Sequence, residues 1–171
     1  GAMDYWPNID AVTWFTAEVL PKLLQSRPQA RFYIVGRSPS AEVQALASES
    51  IVVTGTVPDV RPYLQHAAVV VAPLRIARGI QNKILEAMSM SRPVIASTEC
   101  AAAVDAVLGE ELLTASNPED YVAAISKMLD SPEIAAAVGK AARQRVTDCY
   151  SWDAHMTKID SYLPVAKMEH A

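Results

Sequence analysis

Residues 72–88, Ala-Pro-Leu-Arg-Ile-Ala-Arg-Gly-Ile-Gln-Asn-Lys-Ile-Leu-Glu-Ala-Met, decide how the rest of this chain is read. They open on the end of a strand. Ala67 to Ala72 is a short, valine-rich apolar run, the kind that a parallel sheet buries on both faces. Pro73 stops it. From Ile80 the apolar positions Ile80, Ile84, Ala87 and Met88 fall at helical spacing. Between strand and helix sit Arg75, Arg78 and Gly79. A helix start presents unpaired backbone N–H groups and partial positive charge, so it attracts anions, and two arginines reinforce that attraction. Gly79 lets an anion approach the backbone with no Cβ in the way. Glu86 lies seven residues past Gly79, roughly 10 Å along the helix. That is the scale separating a nucleotide's diphosphate from its ribose hydroxyls, and a carboxylate can accept two hydrogen bonds from such a diol. On this reading Gly79 holds the diphosphate and Glu86 the ribose. The plainer alternative is a surface helix with a solvated glutamate.

Outward from this stretch the chain alternates strand and helix. Toward the N-terminus, Asn8 is a candidate N-cap for an amphipathic helix whose face is Ile9, Val12, Val19, Leu20, Leu23 and Leu24. Pro21 must sit at a break or in the first turn of a continuation. Arg31 to Gly36 and Ile51 to Thr54 read as strands, each followed closely by glycine, with a short helix between them over 40–48. Asp59 is placed to cap a short helix ending near Leu64. Toward the C-terminus, Pro93 to Ala96 and Glu111 to Thr114 read as strands flanking an alanine-rich, partly helical stretch over 98–108. Asn117-Pro118 and Ser131-Pro132 open helices reaching about Leu129 and Val146. Ser151 caps a last helix through Leu163, followed by a frayed tail. The expected fold is therefore α/β, a Rossmann-like three-layer parallel sheet with helices on both faces. Residues 116–163 form a helical C-terminal layer, and the whole of 1–171 is one domain.

Composition agrees. With 171 residues, 51% of them hydrophobic and 20% charged, the chain is globular and long enough for a real core. A net charge of −4 disfavours non-specific nucleic-acid binding. Cys100 and Cys149 have no metal-ligand spacing, and a reducing, cytoplasmic setting is the simplest reading. No apolar run is long enough to span a membrane. Gly1-Ala2-Met3 is kept out of the packing argument at this stage, as a candidate cloning remnant.

In doubly wound sheets ligands bind beyond the C-terminal strand ends. Four loops qualify: 3–8, 36–40, 55–59 and 75–82. Arg37 is a candidate diphosphate partner or a solvated loop charge. Val57 sits where a base could pair with its backbone, or in a plain turn. Asn82 and Glu86 share a helix face at i, i+4, and Lys83 lies at i, i+3 to Glu86. There is no G-x-G-x-x-G after a strand and no P-loop. His66, His155 and His170 lack convergent partners and read as structural or surface residues. Trp14 and Trp152 read as packing residues, and Trp6 as a candidate pocket wall.

Residues 79–97, Gly-Ile-Gln-Asn-Lys-Ile-Leu-Glu-Ala-Met-Ser-Met-Ser-Arg-Pro-Val-Ile-Ala-Ser, resemble the donor-site signature of the GT-B glycosyltransferases, in the large retaining group that uses nucleotide sugars. Residues 1–8, Arg31 to Gly36, Val52 to Val60 and Tyr150-Ser151-Trp152 match that domain's pattern in order. The chain is similar to bacterial sugar transferases associated with exopolysaccharide and PEP-CTERM sorting systems. The resemblance implies a donor-binding domain in which Glu86 binds the ribose. Gly79, Ile80, Gln81 and Asn82 hold the diphosphate through their amides, Val57 meets the base, and Arg37 and Lys83 assist the diphosphate. It implies transfer with retention of anomeric configuration, a donor such as a UDP-sugar, no cofactor and no bound metal. The acceptor, a glycan or lipid-linked sugar, would be reached through an N-terminal domain that is not in this chain. Membrane association, peripheral at the inner membrane, would come only through that absent region. A nucleotide-sugar epimerase of the same architecture, and a non-catalytic nucleotide-binding module, stay open.

Two departures stand out. The usual glutamate eight positions before Glu86 is Arg78 here, and the usual Lys-Gly after the first loop is replaced by Tyr5-Trp6-Pro7-Asn8. Arg75 and Arg78 are candidates to compensate. In this family the first strand is central and would end near Gly1. The chain is therefore expected to be the C-terminal half of a longer enzyme, with a central slot that a partner chain or rearranged edge must fill.

Overall fold

A computed structural model describes residues 1–76, 79–154 and 156. Helix α1 (Trp6–Trp14) runs through a π-helical turn (Phe15–Val19) into α2 (Leu20–Ser26). The wider turn sits just before Pro21, which lies in the first turn of α2 and has no N–H to give to the preceding turn. Most of the expected helical face survives this irregularity: Val12, Val19, Leu20 and Leu23 are buried, Ile9 and Leu24 are half-buried, and Phe15, outside the expected set, is buried with them. Asn8 is not the N-cap. Tyr5 holds that position and Pro7 the first turn, which leaves Asn8 inside the helix, buried and free to bond elsewhere.

Then follow β1 (Phe32–Val35), α3 (Ala41–Gln44), β2 (Ile51–Gly55), α4 (Arg61–His66), β3 (Val70–Ala72) and α5 (Asn82–Ser89). The chain continues with β4 (Val94–Ser97), α6 (Thr98–Ala101), β5 (Leu113–Ala115), α7 (Pro118–Asp130) and α8 (Pro132–Tyr150). Short polar caps set several boundaries. Ser40, Ser97 and Asn117 each accept a hydrogen bond from the N–H three residues on, as N-caps do. Asp59 takes the Arg61 N–H at 2.9 Å although Val60 is the residue at the cap. Ser151 accepts from the Ala154 N–H at 3.1 Å and so starts a helix as expected. The expected continuation to Leu163, together with His155 and His170, lies outside the described residues.

All strand pairs are parallel: β1 with β2, β3 with β4, and β4 with β5. The expected α/β architecture holds, with one difference. The strands form a two-stranded sheet and a three-stranded sheet rather than one, because no strand among the described residues lies between β1 and β3. Period-two alternation splits the core in two. Ile34, Ile51 and Ile95 join α1, α2 and α7 in one cluster, while Ala72, Val94 and Ala96 join α5, α6 and α8 in the other. In β4, Val94, Ile95 and Ala96 are fully buried, each large one contributing about 1.5–3 kcal/mol. Trp14 packs as expected, edge-on to Tyr121 at 5.7 Å, and Tyr121 meets Phe15 edge-on at 6.0 Å.

Gly1-Ala2-Met3 belongs to the fold, contrary to its exclusion above. Ala2 bridges Arg37 in parallel, the Arg37 N–H donates to the Gly1 carbonyl at 2.9 Å, and Met3 is buried. Gly36 permits this crossing: a Cβ there would lie 2.2 Å from the Gly1 carbonyl oxygen.

Candidate functional site

Residues 1–3 run along the C-terminal end of β1, where the Gly1 nitrogen donates to the Val35 carbonyl at 3.0 Å and Ala2 bridges Arg37. The segment after β3 is anchored at Leu74, which is buried and whose carbonyl accepts from Ser97 Oγ at 2.7 Å. Beyond it Gly79 adopts φ +66°, a left-handed conformation that glycine takes without strain. Helix α5 begins at Asn82, with Gln81 at its N-cap in extended conformation.

The start of α5 differs from every other α-helix start among the described residues. The others have either a side-chain cap or a proline in the first turn, and α5 has neither. The Gln81 Nε2 donates instead to the Gly79 carbonyl at 3.3 Å. No acid stands in the first turn of α5, and its second residue is Lys83. The start of α5 therefore has no side-chain cap, no proline and no acid of its own at its positive end.

Lys83 and Glu86 lie beside this start. Lys83 Nζ donates to Asn8 Oδ1 at 2.5 Å, and Asn8 Nδ2 donates to the Ala2 carbonyl at 2.8 Å. Burying Asn8 in α1 thus fixes the lysine rather than capping a helix. Burial lowers the Lys83 pKa below the usual lysine value, against the opposing pull of Cys100 and Glu86. The Gly1 ammonium is lowered too, by burial first and then by Lys83, with Arg37 adding to this and Glu86 opposing it. Gly1, Asn8, Lys83 and Glu86 line one end of a cavity of about 760 Å³. Glu86 is exposed on the same face of α5 as Asn82.

The remaining sequence candidates divide. Arg37 is exposed just past β1, and Val57 is half-buried just past β2, both at the expected strand ends. Gly79, Ile80, Gln81 and Asn82 form the approach to α5 and its first residue, with Ile80 exposed. Arg75 is engaged elsewhere. Its Nε donates to Asp10 Oδ2 at 3.1 Å, its second nitrogen pairs with Asp10 Oδ1, and its guanidinium lies 5.6 Å from the centre of the Trp14 ring. Arg78 lies outside the described residues. Trp6 and Tyr5 are exposed at the N-terminus of α1. Sequence reasoning missed Asn8 as the lysine's partner and Asp10 as the arginine's; each contact spans 65 or more residues and has no local signature. No group of three or more His, Cys, Asp or Glu side chains among the described residues could hold a metal ion. No helix among them is long and apolar enough to cross a membrane.

The chain can be set beside known proteins. It is similar in structure to sucrose-phosphate synthase from Thermosynechococcus elongatus, with a TM-score of 0.70 and 22% identity over 84% of this chain and 40% of the other. It is similar to TarM, with a TM-score of 0.76 and 18% identity over 94% of this chain and 33% of the other. A glycosyltransferase from Rickettsia africae gives a TM-score of 0.74 and 15% identity over 95% of this chain and 45% of the other. The chain therefore spans less than half the length of each. At these identities the likeness establishes the fold, a GT-B Rossmann-like domain. No curated protein matches the sequence. A family model described as "Glycosyl transferases group 1" matches residues 1–131, most of the chain, and the protein belongs to that family.

Proposed function

We propose that this chain is the donor-binding domain of an enzyme that moves a sugar from a nucleotide sugar to an acceptor. The observation that carries the reading is the uncapped start of α5, with Lys83 in its first turn and Glu86 exposed one turn further on. The diphosphate lies against the amides of Gly79, Ile80, Gln81 and Asn82, with Lys83 and Arg37 as its cationic partners. The Glu86 carboxylate takes the ribose hydroxyls, and the backbone at Val57 meets the base. Arg75 is left out, since Asp10 already holds it. Arg78 stays a candidate on its sequence position.

Chemically, the bond from the anomeric carbon to the diphosphate oxygen breaks and a bond to an acceptor oxygen forms. Negative charge builds on the leaving diphosphate. The fixed dipole of α5 and the Lys83 ammonium stabilise it without reorganising. No nucleophile of this chain is required, and none is assigned. The finer points rest on the family resemblance: retention of configuration, a UDP-type donor without metal, a glycan or lipid-linked acceptor bound by an N-terminal domain, and a cytoplasmic role in polysaccharide synthesis.

Thermal shift and calorimetry with uridine, guanosine and adenosine diphosphates test the reading. At a hundred times its dissociation constant the right nucleotide adds about 2.7 kcal/mol of stability. If none of the three stabilises the protein, the reading fails.

A further inference from the structure

Among the described residues, Asn8 and Ser97 are the buried polar ones that are neither aromatic nor thiol. A buried polar group costs stability unless it is bonded, so its partners show what it is kept for. Both side chains act on the approach to α5. Ser97 Oγ donates to the Leu74 carbonyl and so fixes the segment ahead of that helix. Asn8 acts from another element, α1, and fixes Lys83 in the first turn of α5.

The Asn8 amide can stand in only one way. The Lys83 ammonium only donates, so it must meet Oδ1, which it does at 2.5 Å. The Ala2 carbonyl only accepts, so it must meet Nδ2, which it does at 2.8 Å. Aspartate here would set an oxygen against the Ala2 carbonyl, and leucine would bond neither partner. The Asn8 backbone N–H is already given to the Tyr5 carbonyl at 2.9 Å, which leaves the side chain for this task. Residue 1 closes a third side: a Cβ there would lie 3.2 Å from Asn8 Nδ2 and 3.5 Å from Lys83 Nζ. The lysine nitrogen is thus bonded to α1 and packed against residue 1, rather than bonded to its own helix. An anion meets two separate points of positive charge, the uncapped start of α5 and the Lys83 ammonium.

Resting on the donor-binding reading above, we propose that Asn8 is a positioning residue that makes the site select a diphosphate over a monophosphate, by holding the Lys83 ammonium at the place of the second phosphoryl group. One phosphoryl group lies against the start of α5, as that of a monophosphate would. The other meets Lys83, whose direction Asn8 sets before any ligand arrives. The fixed ammonium then also faces the charge that builds on the leaving diphosphate. The titrating and charged groups that face Lys83 are Glu86 on its own helix, Cys100 of α6 and the Gly1 ammonium. Burial pulls the Lys83 pKa below 10.5, while the bond from the ammonium to Asn8 favours the charged form.

Titration calorimetry with uridine, guanosine and adenosine diphosphates, each beside its monophosphate, tests this. In the parent the preferred diphosphate is expected to bind about ten-fold or more tightly than its monophosphate. Asn8→Leu is expected to bring the two within about two-fold, by weakening the diphosphate and leaving the monophosphate unchanged. Lys83→Met keeps Asn8 and its bond to Ala2, should give the same collapsed ratio, and stands in should Asn8→Leu fail to fold. The parent ratio should also shrink as pH rises from neutral toward 10.5, where Lys83 loses its proton, and the Lys83→Met ratio should stay flat. Titration of the base cancels between paired nucleotides. A merely structural role for Asn8 would weaken both nucleotides equally, and that result overturns the proposal. So does a ratio kept in either variant, or a parent ratio near one. If no nucleotide binds the parent at all, the donor-binding reading itself fails, a result distinct from the others.

Discussion

Two helix starts in this molecule face opposite demands. At α7 everything is answered from within. Asn117 Oδ1 accepts from the Asp120 N–H at 2.9 Å, Asp120 Oδ2 accepts from the Ser116 N–H at 3.0 Å, and Glu119 and Asp120 meet the positive end of the helix with negative charge. At α5 no side chain caps the start, no acid stands in the first turn, and Lys83 adds charge of the same sign as the helix end. The first arrangement is complete and needs no ligand. The second has no such answer from its own side chains, and the proposed donor site rests on that contrast.

The comparison breaks most sharply at Glu86. Glu86→Gln is expected to weaken nucleoside diphosphate binding about 10- to 100-fold, the loss of charge-assisted bonds worth roughly 1.5–3 kcal/mol. Its unliganded stability should stay within about 0.5 kcal/mol of the parent. Titration calorimetry beside urea unfolding separates the two. Asn117→Ala is the converse: about 1 kcal/mol of stability lost, a Tm lower by about 2–4 °C, and nucleotide affinity unchanged. Gln81→Asp turns α5 into a helix of the α7 kind. A gain of about 0.5 kcal/mol in stability should accompany weaker diphosphate binding, because the carboxylate occupies the anion's place. If binding improves instead, the start of α5 is not where the diphosphate sits.

The smallest effect is in pH. The hydrogen bond from Lys22 holds the Glu119 pKa below its ordinary value of 4.5. Its contribution is therefore present above that value and lost as pH falls through the lowered one. Near α5 the direction is the same, in a higher pH window. The Gly1 ammonium is lowered from 8.0, so the folded state sheds that proton before the unfolded chain does. Stability then rises with pH through the window ending at 8.0 and is flat beyond it. Urea midpoints from pH 5 to 9 should show this rise, and N-acetylated protein should lack it.

Much of this was legible in the sequence because it is local. Asn117-Pro118 opens α7 through a bond only three residues long, and the apolar runs around Ile34 and Ile95 read as strands on their own residues. Lys83 and Glu86 share a face by helical arithmetic alone. Asn8 shows where this ends. A proline and an asparagine at a helix start read as a cap, but Tyr5 takes that position, and the role of Asn8 depends on a lysine 75 residues away. Arg75 was read as a free cation because nothing nearby announces Asp10. The split of the sheet was anticipated only through family resemblance, since an empty place between strands leaves no mark on the residues beside it.

The grip of α1 on its surroundings has one more consequence. Asn8 holds Lys83 from one turn of that helix, and Asp10 with Trp14 holds Arg75 from the next. A single rod thus clasps both the lead-in to α5 and α5 itself, as a hinge pin carries two leaves. Loosening the first fourteen residues would disturb the proposed nucleotide seat from both sides at once, and through Trp14 on Tyr121 it would reach α7 as well.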